Sequence, residues 1–240
     1  IIALAELLYN SSDVSYLIHQ IERNAPSSVS VSLPTTKPIT PQNSFEHLQV
    51  LPITHPALIK YLEERCIDVE MARTVCKELH FDTRGKHYFG IGFPNIAGGY
   101  EIRNPFFKGC IAPKDISHFY AEEPKKVCLI FEGFMDFLSF MTLRRKENDG
   151  LKRQDYLVLN SVTNIHKAAK RLSRYDSVQC FLDNDNAGRN AYLQLSKELG
   201  KSVTDASTLY NGFKDLNEYL CAESKHSERA EIKKSKGIKL

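Results

Sequence analysis

The sequence predicts an α/β protein: a parallel sheet with flanking helices in the carboxyl-terminal half, preceded by a smaller α+β subdomain. Three observations carry this. Short apolar runs at 127–131, 156–160 and 178–182 alternate with helical patterns at 133–145, 165–175 and 188–199, the order of a doubly wound parallel sheet with right-handed crossovers. Two of those runs end in carboxylates, Glu132 and Asp183, with Gly133 or Gly188 opening the following helix. Upstream, a helix pair precedes strand-like pieces at 88–93 and 100–104 around the turn Asn95-Ile96-Ala97-Gly98-Gly99.

In chain order, residues 1–24 read as two short amphipathic helices about the break Asn10-Ser11-Ser12-Asp13, which can cap the second. Residues 25–44 are rich in Pro, Ser and Thr without helical period and read as an extended linker. The unit 45–121 starts with a helical pattern at 55–65, and a second helix is expected from Asp68 to Leu79. The unit 122–222 holds the alternating pattern, a fourth strand at 202–209 and a short helix at 216–221. Residues 223–240 have little apolar content and several lysines, and read as a basic tail, disordered or an electrostatic arm.

Composition narrows the classes. No apolar stretch approaches the roughly 20 residues of a membrane span, so a cytoplasmic protein with no membrane partner is expected. The net charge of +3 permits nucleic-acid binding without demonstrating it. Six cysteines form no C-x-x-C pair, and Cys128 and Cys180 lie in apolar strands, so buried free thiols are expected. Cys76 and His80, one helical turn apart with Cys66 upstream, make a metal site conceivable, but ordinary packing explains them better.

The carboxylates point to chemistry. Glu132 closes its strand and Asp136 follows by four positions, so both face one side if Gly133 opens a helix. Asp183 and Asp185 are two apart and project to the same side in extended chain. In open parallel sheets the ligand crevice lies beyond the carboxyl ends of the strands, where these groups converge. Several carboxylates in one crevice repel, and without a cation some must protonate. Oxygen-only ligation favours Mg²⁺ or Mn²⁺ over zinc or copper. Helix caps and turns are the plain alternative, but a cap needs one carboxylate per helix and here there is a surplus. Asn160 and Ser161 end the middle strand on the same edge, within reach of a metal shell or phosphate, with helix capping an equal alternative for Ser161.

Glu132-Gly133 followed by Asp136, with Asp183-Asn184-Asp185 on a later strand end, resembles the Toprim domain of DnaG-type primases and topoisomerases over roughly residues 122–222. Lys214-Asp215-Leu216-Asn217 is similar to the acidic segment that closes the metal site in DnaG-type primases. That family has Asp-x-Asp or a near variant there, and Asn217 offers a weaker, uncharged ligand. The resemblance implies catalytic roles for Glu132, Asp183 and Asp185, and metal ligation by Glu132, Asp183, Asp185, Asp215 and Asp136. Glu132 is either a ligand or the general acid/base. Residues 45–121 resemble, more loosely, the subdomain forming one wall of the nucleic-acid groove in those primases. Arg84, Lys86, Arg103, Lys108 and Lys114 lie there among Tyr88, Phe89, Tyr100, Phe106 and Phe107, suited to phosphate contact and base stacking. For any single residue the plain alternative is that the rings are core and the charges a solvated face. Residues 1–24 would be the tail of a zinc-binding module whose ligands are not in this sequence. The chain opens at Ile1 rather than Met, which fits a preceding segment having been cut away.

The resemblance implies a primase-like nucleotidyltransferase of a mobile-element type, making short RNA primers on a single-stranded DNA template from nucleoside triphosphates with Mg²⁺ or Mn²⁺. A replicative helicase is among the partners it allows. One alternative is a metal-dependent nuclease of the overcoming-lysogenisation-defect type, a family that normally carries an ATPase domain. Another is a nucleic-acid-binding Toprim module with weak or lost catalysis, which Asn217 favours. Topoisomerase is disfavoured because no DNA-gate domain with a cleaving Tyr follows.

Overall fold

The computed structural model describes residue 20 and residues 45–145, 151–200 and 202–237. Gln20 apart, the helices expected over 1–24 and the linker over 25–44 lie outside the described residues. The chain from Asn43 to Leu240 is one unit, built on two five-stranded sheets among the described residues.

The first sheet is antiparallel, in the order β1 (Glu46–Leu51), β2 (Lys77–Thr83), β3 (Lys86–Pro94), β4 (Tyr100–Arg103), β5 (Lys108–Ile111). Two helices, α1 (Pro56–Glu64) and α2 (Val69–Val75), connect β1 to β2. His55 caps α1, its Nδ1 accepting the Ala57 N–H at 3.2 Å ahead of Pro56 at the first turn. Asp68 caps α2 by accepting the Met71 N–H at 2.8 Å. The helix expected from Asp68 to Leu79 therefore stops early. Cys76 is extended at φ −111° and ψ 162°, and from Lys77 the chain alternates Leu79 and Phe81 into the core as β2. Pairing with β3 across a turn where Arg84 and Gly85 take φ of 52° and 71° overrides the local helical pattern.

This correction also removes the helical spacing of Cys76 and His80. Burial pushes the Cys76 thiol pKa well up, and His80 is engaged by Glu78 Oε1 at 2.7 Å and His87 Nε2 at 3.1 Å.

The second sheet runs β10 (Ser202–Asp205), β9 (Ser177–Phe181), β7 (Val127–Phe131), β8 (Asp155–Val158), β6 (Ser117–Phe119). Its first four strands are parallel, and β6 pairs antiparallel with β8 on the edge. Helices α3 (Phe134–Arg144), α4 (Ile165–Leu172), α5 (Asn186–Leu199) and α6 (Leu216–Gly237) follow its strands. The pattern of apolar runs foretold the parallel strands. β1, β5 and β6 were not foreseen, since they are short or exposed along much of their length.

One apolar core joins the two sheets. Phe93 of β3 stacks on Phe134 at 5.1 Å, and Phe131, Phe137, Phe140, Tyr156 and Phe181 continue the ring cluster beneath β7 and β9. Fully burying a ring of this size contributes about 2–3 kcal/mol as an upper figure. The cluster thus fixes the two strand ends that carry Glu132 and Asp183.

The helix expected over 216–221 continues to Gly237 as α6 and takes in the start of the basic tail. Glu, Lys, Ala and Arg dominate that stretch and are strong helix formers that need no apolar face. Among the described residues no helix is long and apolar enough to cross a membrane.

Candidate active site

The registers of the parallel sheet create the site. Phe131 of β7 pairs with Phe181 of β9, so the residues after each strand emerge side by side on one edge. The Asp183 N–H donates to Glu132 Oε2 at 3.3 Å, joining the two strand ends through the first carboxylate. Gly133 opens α3, and Asp136 in its first turn is buried. Asp185 caps α5, its Oδ1 accepting the Gly188 N–H at 3.0 Å. Gly188 is required there, because a Cβ would stand 2.1 Å from the Asp183 carbonyl oxygen.

A cleft of about 430 Å³ opens over this edge, lined by Glu132, Asp136 and Asp183 together with Arg103, Lys108 and Lys114. Asn160, Ser161 and Glu101 complete much of its wall. The structure thus brings together Glu132, Asp136, Asp183, Arg103, Lys108, Lys114, Asn160 and Ser161 of the residues singled out in the sequence. Arg84 and Lys86 are not among the lining residues: they are exposed at the β2–β3 turn. Asp185 and Asp215 are not among them either, but their charges act on Asp183.

The electrostatics follow from crowding. Burial, then the charges of Asp183 and Asp215, push the Asp136 pKa up to about 8, against the pull of the Asn217 N–H bonded to its carboxylate. Burial and the charges of Glu132, Asp215 and Asp185 push Asp183 up to about 7, with Lys214 opposing. Glu132 is raised by burial and by Asp185, while the Asp183 N–H, Lys108 and Lys214 pull it back. Each rise comes from taking the charge out of water and placing it beside like charges.

The donor chemistry fits a hard divalent cation, since the crevice offers several carboxylates whose mutual repulsion a cation would relieve. Among the described residues, however, no three His, Cys, Asp or Glu side chains already stand as a metal-holding group. The hydrogen bonds give a reason: Asp185 caps α5, and Asp215 Oδ1 accepts the Glu218 N–H at 2.8 Å at the start of α6. The capping alternative weighed from sequence is therefore realised for Asp185, and Asp215 caps α6 in the same way.

Asn217 does not face the site with its side chain. Its Nδ2 donates to Ser139 Oγ and to the Arg65 carbonyl, both at 2.9 Å, and the residue is 1% exposed. It ties α6 to α3 and to the end of α1, and its N–H reaches Asp136.

Sequence reasoning passed over Asn184. Its N–H donates to the Lys214 carbonyl at 2.7 Å, and its Nδ2 reaches the carbonyls of Phe213 at 2.9 Å, Tyr210 at 3.2 Å and Ser207 at 3.5 Å. It thereby pins the loop that delivers Lys214 and Asp215. Tyr210 adds to this by donating its hydroxyl to the Leu182 carbonyl at 2.8 Å. The only sequence signal was an amide lying between two acids.

Asn160 sits at φ 61° and donates its Nδ2 to Asp115 O at 2.9 Å and Ser117 Oγ at 3.0 Å. Its Oδ1 is buried without a hydrogen-bond partner, a spare acceptor on a cleft-lining residue. Ser161 accepts the Thr163 N–H at 3.4 Å, the capping role foreseen as its alternative.

Residues 129–220 match the family described as Toprim-like, so the chain carries a Toprim-like domain. Residues 47–112 match a family described as a domain of unknown function (DUF8464). The fold is similar to that of solved primase fragments. The chain is similar to the primase fragment of the bacteriophage T7 primase-helicase protein, at 17% identity and TM-score 0.50, covering 71% of this chain and 72% of that one. It is also similar to the zinc-binding and RNA polymerase domains of the Aquifex aeolicus primase, at 15% identity and TM-score 0.47, covering 77% of this chain and 57% of that one. No curated protein matches the chain.

Proposed function

We propose that the cleft joins nucleotides by phosphoryl transfer, in a primase-like synthesis of short RNA primers on single-stranded DNA. The observation that carries this reading is one cleft lined both by Glu132 and Asp183, at adjacent parallel strand ends, and by Arg103, Lys108 and Lys114. The cations suit triphosphate and template phosphates, and the carboxylates suit proton transfer and metal binding.

In this reading Arg103, Lys108 and Lys114 hold the phosphates of the incoming nucleotide. Glu132, whose pKa is raised, takes the proton of the attacking hydroxyl as its oxygen bonds to the α-phosphorus and pyrophosphate leaves. Phe106, 96% exposed at the turn between β4 and β5, offers a ring for base stacking near Arg103 and Lys108. Mg²⁺ or Mn²⁺, held by Asp183 and Asp136 with Asp185 and Asp215 recruited from their caps, would neutralise phosphate charge and favour the ionised hydroxyl.

The domain division at 121/122 belongs to this proposal, with 45–121 supplying Arg103, Lys108 and Lys114 and 122–222 supplying Glu132, Asp136 and Asp183. A second reading, a Toprim-like binding module with weak catalysis, is favoured by the Asn217 side chain being committed to Ser139 and Arg65. Dinucleotide synthesis from nucleoside triphosphates with Mg²⁺ or Mn²⁺ separates the two. Product that depends on Asp183 and Glu132 supports synthesis, and DNA binding without product supports the module.

A further inference from the structure

The α4 helix carries a surface that the cleft chemistry does not use. Ile165, Ala168, Ala169 and Leu172, at helical spacing, are buried in the core beneath the parallel sheet. The opposite face presents Lys167, Lys170 and Arg171, with Arg174 just beyond, and no acid occurs between Val162 and Tyr175. These four cations line a shallow groove of about 480 Å³ with Ile96 and Asp115.

A run of cations on a helix is ordinarily just a solvated face, and three observations set this one apart. The Arg174 guanidinium lies 4.6 Å from the centre of the Tyr120 ring, which also meets the His118 ring at 4.2 Å, and Tyr120 is 50% exposed, so a cation and a partly exposed ring stand together. Lys170 and Arg171 are exposed and make no ion pair among the described residues. Lys167 is drawn into the groove by Asp115 at 3.3 Å and donates to the Lys114 carbonyl at 3.1 Å. Lys114 lines the active cleft and Asp115 lines the groove, so the two depressions are separated by adjacent residues.

We propose that the α4 groove is a second binding tract for single-stranded nucleic acid, continuous with the active cleft. Lys167, Lys170, Arg171 and Arg174 contact the phosphodiester backbone there and Tyr120 stacks a base. The inference rests on the reading of the cleft as a nucleic-acid site. Template and newly made strand share this chemistry, so the strand in the groove is named only as single-stranded.

The test measures anisotropy of labelled dT and rU oligomers of about 20 and about 5 nucleotides on the full chain. The chain is compared with Lys170→Ala/Arg171→Ala, with Tyr120→Ala, and with the cleft variant Arg103→Ala/Lys108→Ala. The helix variant is expected to bind the longer oligomer on the order of tenfold more weakly, with a salt dependence shallower by about 1.4 in log–log slope. That figure corresponds to about 0.7 for each lost phosphate contact on a single strand. The 5-nucleotide oligomer is expected to lose affinity only in the cleft variant. A stronger effect with dT assigns the tract to template, and a stronger effect with rU assigns it to product.

Unchanged affinity and slope in the helix variant, with loss in the cleft variant, would overturn the tract and leave the cleft reading standing. Loss in the helix variant alone would keep the tract and overturn the cleft reading, and no binding by the unsubstituted chain would overturn both. Photocrosslinking of bromouracil-substituted strands to the unsubstituted chain gives a readout free of folding effects. Adducts at Tyr120 or on α4 support the tract, and adducts confined to cleft residues contradict it.

Discussion

The Asp183 main-chain N–H bonds the Glu132 carboxylate at 3.3 Å, so the two acids that end neighbouring parallel strands are tied to each other before any ligand arrives. That tie sets Glu132 where burial and the Asp185 charge raise its pKa while one backbone donor steadies its anion. Phe131 and Phe181, stacked at 5.1 Å beneath it, make the spacing a property of the core rather than of a loop.

Asp136 should cost the fold stability at neutral pH. Its pKa of about 8 in the folded chain lies far above the ordinary 3.8, so between those values the folded state holds a proton that the unfolded state has lost. Stability therefore falls as pH rises through this window. Asp136→Asn keeps an acceptor for the Asn217 N–H, and should melt higher than the unsubstituted chain at pH 8 and equally near pH 4. Calorimetry at the two values checks it; a variant less stable at pH 8 would contradict the burial of an uncompensated acid.

Gly188→Ala is expected to destabilise by about 2 kcal/mol or more, since its Cβ would meet backbone atoms of Asp183 that cannot swing aside. Chemical denaturation measures this. An Ala variant of unchanged midpoint would mean that α5 and the Asp183 turn adjust freely.

Asn184→Ala releases the loop bearing Lys214 and Asp215. Two amide hydrogens serve three carbonyls there, so the loss is expected at about 1–3 kcal/mol. Hydrogen exchange at 207–215 should rise more than in the β7 and β9 core, and uniform protection would contradict the pinning role.

Much of this site was legible in the chain because it obeys simple patterns. Glu132 and Asp183 end apolar runs, and the alternation of strand and helix places both ends on one edge. The helix over Asp68 to Leu79 failed because β2 is made by pairing with β3, which local pattern does not encode. Arg84 and Lys86 looked equivalent to Arg103 and Lys108 in sequence, but hairpin geometry carries them to a different turn. Asn184 holds carbonyls 23 to 29 residues away, a role no spacing announces.

Asn217→Asp, which would place a second acid in the segment after Lys214, is expected to destabilise rather than to add a ligand. A carboxylate cannot donate to the Arg65 carbonyl, and it would be buried near Asp136. Melting and Mn²⁺ titration of the variant check this, and a gain in metal affinity with unchanged melting would contradict it.

Nucleotide joining at the Glu132–Asp183 edge is tested by synthesis of labelled oligoribonucleotides on single-stranded DNA with Mg²⁺ or Mn²⁺ by the chain, by Glu132→Gln and by Asp183→Asn. Short products from the unsubstituted chain that fall by about 100-fold or more in both folded variants are the predicted result. Products that persist in both variants would place the chemistry elsewhere and contradict the account.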